Sequence, residues 1–386
     1  MALQLLYDLS LLGFCRDDPG KITGMPRVIL EQAARLQTSP DCETTFCATE
    51  DPAEAYQFAG RHPTFRQARL APWAPDQPDN LSPETLAGAQ VFHTPHSAVP
   101  AAVRGQAGLA VVQTVYDMIP FLLPETMTQE YRDYYGDILR RLRPTDHVIT
   151  ISESAKQDFC GHTRFAPEHV HVVPLAADSQ LFQPCPDPGR QADARRRYGI
   201  PDAPYLLSVC TFEPRKNLRH VIRSFVALAQ SEPGLHDVRL VLAGGRGWLF
   251  EPILAELAGT EGLRDRIITT GFVDDADLAP LYTGAAGFLY LSRYEGFGLP
   301  PLEAMQCGTP TVVSNTSSLP EVVGTAGIQL DPDDQDGLCQ AMRRLCLAGG
   351  DERVRLAEQS LRQARRFSWE LNLRQTREVY RRAVNG

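Results

Sequence analysis

Short apolar runs of strand length alternate with helical stretches along almost the whole chain, and this alternation limits the possible folds more than any other feature. In the first half LQLLYDL (3–9) is followed by the helical pattern VILEQAARL (28–36), and VFHT (91–94), AVVQTVYD (110–117), VITIS (148–152) and VHVVPL (170–175) read as strands. The second half repeats the theme with YLLSVC (205–210), a helix over 218–230, VRLVLAGG (238–245), a helix over 250–258, RIITTGF (266–272), AGFLYLS (286–292) and PTVVS (310–314). Strand–helix alternation predicts parallel sheets that receive ligands at the carboxyl ends of their strands. Between the halves lies QPCPDPGRQADARRRYGIPDAP (183–204), rich in Pro, Gly and charge and without a strand pattern, which reads as a linker. The reading is therefore α/β, with two Rossmann-like domains over 1–183 and 184–366. The arginine-rich helical stretch 352–384 has no destination that the residues themselves specify.

A chain of 386 residues, 43% hydrophobic and 22% charged, has apolar material for two cores. The net charge of -9 argues against a nucleic-acid partner, which needs a basic face. Nine cysteines are scattered without a CxxC pair, so no zinc site and no disulfide framework is expected. The first apolar stretch lacks a basic start and a small-residue cleavage site, and reads as a buried strand. Reduced thiols and a cytoplasmic location follow as expectations.

The segment RYEGFGLPPLE (293–303) carries the densest chemistry. Gly296 and Gly298 permit positive φ and close approach of a ligand to the backbone. Pro300 and Pro301 suit a helix start, and Gly308 suits its end. Residues 296–302 would then present unpaired amides to an anion at a helix N-terminus. Glu303 is placed in the first helical turn, where complementing the dipole is the plain explanation, and Glu295 in the loop before it. Together with the glycines, the two acids suit a molecule bearing both hydroxyls and phosphates. The segment SVCTFEPRKNL (208–218) also joins a strand to a helix, which puts Arg215 and Lys216 at the ligand edge. A planar fork and a point charge there would hold a diphosphate without a metal.

EGFGLPPLE resembles the E-x7-E motif of retaining glycosyltransferases of family four, which have the GT-B fold. EPRKNL, GFVDDADLAPLYTGA (271–285), HTPHSAVP, VYDMIPFLLPE, ITISESAKQDF and VVPLAAD are also similar to that family, so the likeness runs over nearly the whole chain. It implies two Rossmann-like domains facing each other across a cleft, with the C-terminal helix, about 367–386, packing back on the first. It implies that Glu295 holds donor-sugar hydroxyls, that Glu303 accepts from the ribose, and that Arg215 and Lys216 neutralise the leaving diphosphate. Val273 would meet the base through its backbone, with Asp275 near the base N–H groups. The loop Gly20–Arg27, with Gly24, looks like the family's glycine-rich loop; an ordinary strand-to-helix turn is its plainer explanation. Two positions depart from the pattern. Thr211 stands where many members have arginine, and Tyr116 stands where many have the histidine of a His-Asp pair. Asp117 remains, at a strand end, and His93 and His96 join Tyr116 on the acceptor side.

The implied function is retaining transfer of a sugar, mannose from GDP-mannose by preference, to a hydroxyl of a glycan or lipid-linked glycan in surface polysaccharide biosynthesis. Asp117 would orient the acceptor. No cofactor and no metal are expected, although DxD strings occur at 275–277, 331–333 and 334–336. Arg140, Arg141 and Arg143 at the end of the helical stretch 131–143 suit an anionic membrane surface, or simply a solvated helix end. Rival readings are a sugar-nucleotide epimerase of related architecture and a non-catalytic sugar-nucleotide binder. A dinucleotide site at AGGRG (243–247) lacks the GxGxxG spacing and a well-placed ribose acid.

Overall fold

The computed structural model describes residues 2–15, 22–260 and 262–385, so Gly20 and Lys21 of the glycine-rich loop lie outside the described residues. Contacts divide the chain into two units: the part up to Leu175 together with the segment from Trp369, and Ala176–Ser368. The composition of the Pro-rich stretch had put the boundary at 183/184, eight residues later than the contacts do.

The first unit is built on seven parallel strands: β1 (Leu3–Asp8), β2 (Cys42–Cys47), β3 (Arg69–Leu70), β4 (Val91–Thr94), β5 (Ala110–Val115), β6 (His147–Thr150) and β7 (Val170–Val172). Their order is β3-β2-β1-β4-β5-β6-β7. The chain thus winds outward in one direction from β1 and in the other from β4, and the crevice between those two strand ends is the switch point at which such sheets bind ligands. Leu5, Tyr7, Phe46, Val91, Val112 and Ile149 form the core with the helix Met25–Leu36. That helix buries Val28, Ile29, Gln32, Ala33 and Leu36, one stripe at helical spacing.

A second helix, Trp369–Asn385, closes the same core. It buries Trp369, Asn372, Thr376, Val379 and Tyr380 along one face. Asn372 Nδ2 donates to the Pro174 carbonyl at 2.8 Å, and Gln32 Nε2 donates to Asn372 Oδ1 at 3.3 Å. Arg377 reaches Asp41 at 2.7 Å. Burial of Val379 alone contributes about 1.5–3 kcal/mol.

The second unit carries β8 (Tyr205–Val209), β9 (Arg239–Ala243), β10 (Ile267–Gly271), β11 (Gly287–Tyr290), β12 (Thr311–Ser314) and β13 (Ile328–Leu330) in the order β10-β9-β8-β11-β12-β13. Its switch point lies between β8 and β11. The stretch read as a linker is part of this unit. Residues Pro188–Arg197 form a helix, started by Asp187, whose side chain accepts from Gly189 N–H, and by Pro188 at the first turn. Ala194 is buried, and Tyr198 OH donates to Asp277 at 2.9 Å and accepts from Asp274 N–H at 3.0 Å. High charge density concealed a helix that needs only a narrow apolar contact.

Candidate active site

The two segments singled out in the sequence meet at the switch point of the second sheet. After β8 the chain makes a 3-10 turn, Pro214–Lys216, and enters the helix Leu218–Ser231 through Asn217 at φ 56°. Asn217 tolerates that left-handed conformation, and its Nδ2 donates to the Pro332 carbonyl at 2.7 Å. The turn aims two cations at the loop after β11. Lys216 Nζ lies 2.7 Å from Glu295 Oε1 and 2.9 Å from Tyr290 OH. Arg215 Nη1 lies 2.8 Å from Glu295 Oε2, and its Nη2 lies 2.6 Å from Glu213 Oε1.

Burial by itself would raise the pKa of Glu295, but Arg215 and Lys216 outweigh it and hold the carboxylate at about 2. The same contacts act on Arg215: burial opposes its charge, and Glu295 and Glu213 more than compensate, raising its pKa. Both terminal nitrogens of Arg215 are engaged by protein acceptors, since its Nη1 also donates to the Tyr294 carbonyl at 2.8 Å, while its buried Nε has no partner among the described residues. Lys216 is different, since an ammonium has three donors and two of them are engaged here. The two residues read as a pair of phosphate ligands thus separate: Lys216 keeps a donor to offer, and Arg215 fixes Glu295 and the loop backbone.

The loop is locked from its other side. Ser317 Oγ accepts from Glu295 N–H at 3.0 Å, and Ser318 Oγ donates to the carbonyls of Glu295 (2.9 Å) and Phe297 (2.6 Å). Phe297 is buried edge-on against Phe367. The helix then runs over Leu299–Gln306, with Gly298 as its N-cap at φ 118°. A Cβ at Gly298 would come within 2.8 Å of Leu319 Cδ2, so both conformation and space demand glycine. The N–H groups of Phe297, Gly298 and Leu299 have no protein acceptor among the described residues, and Pro300 and Pro301 have none to offer. Open backbone donors at a helix start, close to a lysine, are an arrangement that suits an anion.

Glu303 requires a correction. It is the fifth helical residue, in the second turn, so it does not cap the dipole. It is buried, and its Oε2 accepts from Tyr282 OH at 3.1 Å. Val273 is buried at the end of β10, and Asp275 opens the helix Asp275–Gly284. Thr211 is exposed beside Gly247. The AGGRG turn lies along the β8 loop: Phe212 N–H donates to the Gly245 carbonyl and Gly247 N–H to the Phe212 carbonyl. At Gly244, φ is 140° and a Cβ would sit 1.9 Å from the Cys210 carbonyl oxygen. Those glycines serve a close backbone approach.

In the first unit the acceptor-side residues fare unequally. His93 is fully buried, with Nδ1 2.6 Å from Tyr380 OH and Nε2 2.8 Å from Thr114 Oγ1; burial lowers its pKa to about 3. It is a core histidine that ties in the C-terminal helix, and its assignment to the acceptor side is wrong. Tyr116 is buried too, and its hydroxyl has no partner. His96, buried among Tyr116, Tyr131, Tyr134 and Tyr135, has its pKa lowered to about 4 by burial. Asp117 Oδ1 accepts from Ile119 N–H at 2.9 Å and so starts the short helix Ile119–Leu122. Gly24 is the exposed N-cap of Met25–Leu36, at φ 60°. His147 Nδ1 lies 2.9 Å from His171 Nε2.

Among the described residues no group of three or more His, Cys, Asp or Glu side chains is arranged to hold a metal ion, and no helix is long and apolar enough to cross a membrane.

Two parallel sheets with helices, the second with a cation–carboxylate cluster at its switch point, define the α/β class of the chain, and comparison with known proteins identifies its family. Residues 190–363 match the family described as glycosyl transferases group 1, and residues 22–181 match glycosyltransferase family 4. The chain is 31% identical over 292 residues to O-antigen chain mannosyltransferase B of Escherichia coli, covering 75% of this chain and 74% of that protein. It is 33% identical over 257 residues to the serotype-specific mannosyltransferase WbdA of Escherichia coli, covering 66% of this chain and 31% of WbdA. The chain belongs to this family and is a glycosyltransferase. The fold is GT-B: a glycosyltransferase from Rickettsia africae superposes with a TM-score of 0.74 at 14% identity over 99% of both chains. WaaG, a glycosyltransferase involved in lipopolysaccharide biosynthesis, gives 0.67 at 16% identity over 96% of this chain and 98% of WaaG.

Proposed function

We propose that the protein transfers mannose from GDP-mannose to a hydroxyl of a glycan or lipid-linked glycan, with retention of anomeric configuration, in the assembly of a surface polysaccharide. The observation that carries this reading is the placement of Lys216, Glu295 and the Phe297–Leu299 amides at one switch point. Bond cleavage builds negative charge on the diphosphate, and a lysine with a donor in reserve, beside oriented amides, meets that charge without reorganisation. Glu295, ionised and immobile, accepts hydroxyls of the donor sugar, and Arg215 acts through Glu295. Glu303 accepts from the ribose by exchanging its Tyr282 partner. No metal ion takes part. The names of the relatives favour mannose and O-antigen-type products.

The reaction takes place at the cytoplasmic side of a membrane. Arg140, Arg141 and Arg143 are exposed at the end of the helix Gln129–Arg140 and suit contact with anionic headgroups. The deciding experiment incubates the purified chain with GDP-mannose and an α-mannoside acceptor and reads the new linkage by proton NMR. An α-linked product is expected. A β-linked product, or release of GDP only from a different nucleotide sugar, refutes the proposal. A free epimerised sugar as product would establish the epimerase reading.

A further inference from the structure

The switch point of the first sheet differs from that of the second: it gathers two carboxylates that pair with no lysine or arginine among the described residues. Asp8 ends β1 and is buried. Its Oδ1 accepts from Ser10 Oγ at 2.6 Å, Ser10 N–H at 3.2 Å and Thr49 N–H at 3.3 Å, and its Oδ2 accepts from Thr94 Oγ1 at 3.4 Å. It is a satisfied acid behind the surface. Glu50, just past the end of β2, stands in front of it and is partly exposed. Glu50 Oε1 accepts from Ala98 N–H at 3.3 Å, and Oε2 accepts from Tyr134 OH at 2.9 Å. A carboxylate can accept about four hydrogen bonds, so Glu50 has capacity left, and both of its present donors are neutral. Among the described residues no lysine or arginine pairs with either acid. Burial, with Asp8 close by, raises the pKa of Glu50.

Aromatic rings flank this carboxylate. His96 lies 6.2 Å from Tyr131 with nearly parallel planes, and 5.9 Å from Tyr134. Tyr131 and Tyr134 are partly exposed on the helix Gln129–Arg140. At the same strand ends the Tyr116 hydroxyl, on a residue 4% exposed, is left without a partner, and its ring stands 6.3 Å from His96. An anionic ligand would meet the Glu50 carboxylate, with Asp8 behind it and no lysine or arginine paired to either among the described residues. A neutral polyol would not: its hydroxyls donate to Glu50 while its C–H face lies against a tyrosine ring.

We propose that Glu50, held by Tyr134 and flanked by Tyr131 and His96, is the subsite for the neutral acceptor glycan, with its carboxylate accepting hydroxyls of one pyranose ring. This rests on the reading of the chain as a glycosyltransferase acting on a glycan.

The test titrates the full chain with α-linked mannotriose, and separately with GDP, by calorimetry, for the wild type, Glu50→Gln and Tyr134→Phe. Loss of a hydrogen bond to a charged acceptor predicts that Glu50→Gln weakens mannotriose binding by about tenfold or more, with a smaller loss for Tyr134→Phe. GDP affinity should stay within about twofold in both, because Glu50 and Tyr134 belong to the first unit and the Lys216–Glu295 cluster to the second. Equal mannotriose affinity in the wild type and Glu50→Gln, or no mannotriose binding by the wild type, overturns the inference. So does stronger competition against mannotriose by mannose 6-phosphate than by mannose. Absence of GDP binding with mannotriose binding intact sinks the proposed donor and leaves the acceptor subsite standing.

Discussion

Replacing Glu295 by glutamine tests the central cluster through stability, independently of any substrate. The carboxylate is held at about 2 against an ordinary 4.5, which corresponds to about 3 kcal/mol of folding stability at neutral pH. The upward displacement of Arg215 reflects the same contacts and is counted once. A depressed carboxylate contributes stability that is present above its unfolded pKa and disappears as pH falls through the folded value. The gap between wild type and Glu295→Gln should therefore be about 3 kcal/mol at pH 7, about 2 kcal/mol at pH 3.5, and nearly closed at pH 2. Hydrogen exchange of peptides spanning 205–217 and 287–306, corrected for intrinsic rates, reads this gap directly where exchange follows unfolding of the second unit. At pH 7 the expected loss of protection is roughly a hundredfold. A gap independent of pH, or no gap, would show that Glu295 is not clamped between Arg215 and Lys216 in solution.

Other changes probe the same site by different routes. Lys216→Ala should lower turnover with GDP-mannose by about 10²–10³-fold, the cost typical of losing one charge-stabilising donor, measured by GDP release. Gly298→Ala forces a side chain onto a backbone at φ 118° and toward Leu319, and should cost about 1–3 kcal/mol in urea unfolding and weaken GDP binding. Tyr282→Phe removes the hydroxyl that donates to the buried Glu303 carboxylate; a loss of about 1–3 kcal/mol is expected by the same measurement. A chelator such as EDTA should leave transfer rates unchanged, and restoration of lost activity by a divalent ion would contradict the proposed chemistry.

The strands of both sheets were readable where they are apolar throughout, because a strand buried on both faces carries its signal in every residue. The exceptions have physical reasons. β2, with the sequence CETTFC, alternates buried and exposed positions near a sheet edge, and β3 and β13 are two and three residues long. The helix Pro188–Arg197 buries a single residue, so its sequence looks like solvent-exposed linker. In the site, Glu295, Lys216 and the glycines were visible from their order after strands. Their partners were not. Tyr290 is embedded in an apolar strand pattern, and Ser317 and Ser318 come from a loop remote in sequence. Histidine identity alone made His93 look functional, whereas its partner Tyr380 is 287 residues away, beyond the reach of any local pattern. Glu50 carried no motif at all; only the parallel order of β1, β2 and β4 brings it beside His96.

The helix Trp369–Asn385 belongs to a sheet whose last strand ends at Val172, nearly two hundred residues earlier. During synthesis the N-terminal sheet therefore leaves the ribosome with Tyr7, His93 and Ile149 lacking their final cover, and it waits in that condition while all of Ala176–Ser368 is made. The unit translated first is the one completed last. Loss of the seventeen-residue helix Trp369–Asn385, by a premature stop or a protease, would thus uncover the sheet made before Ala176–Ser368 and leave that later unit without a missing element.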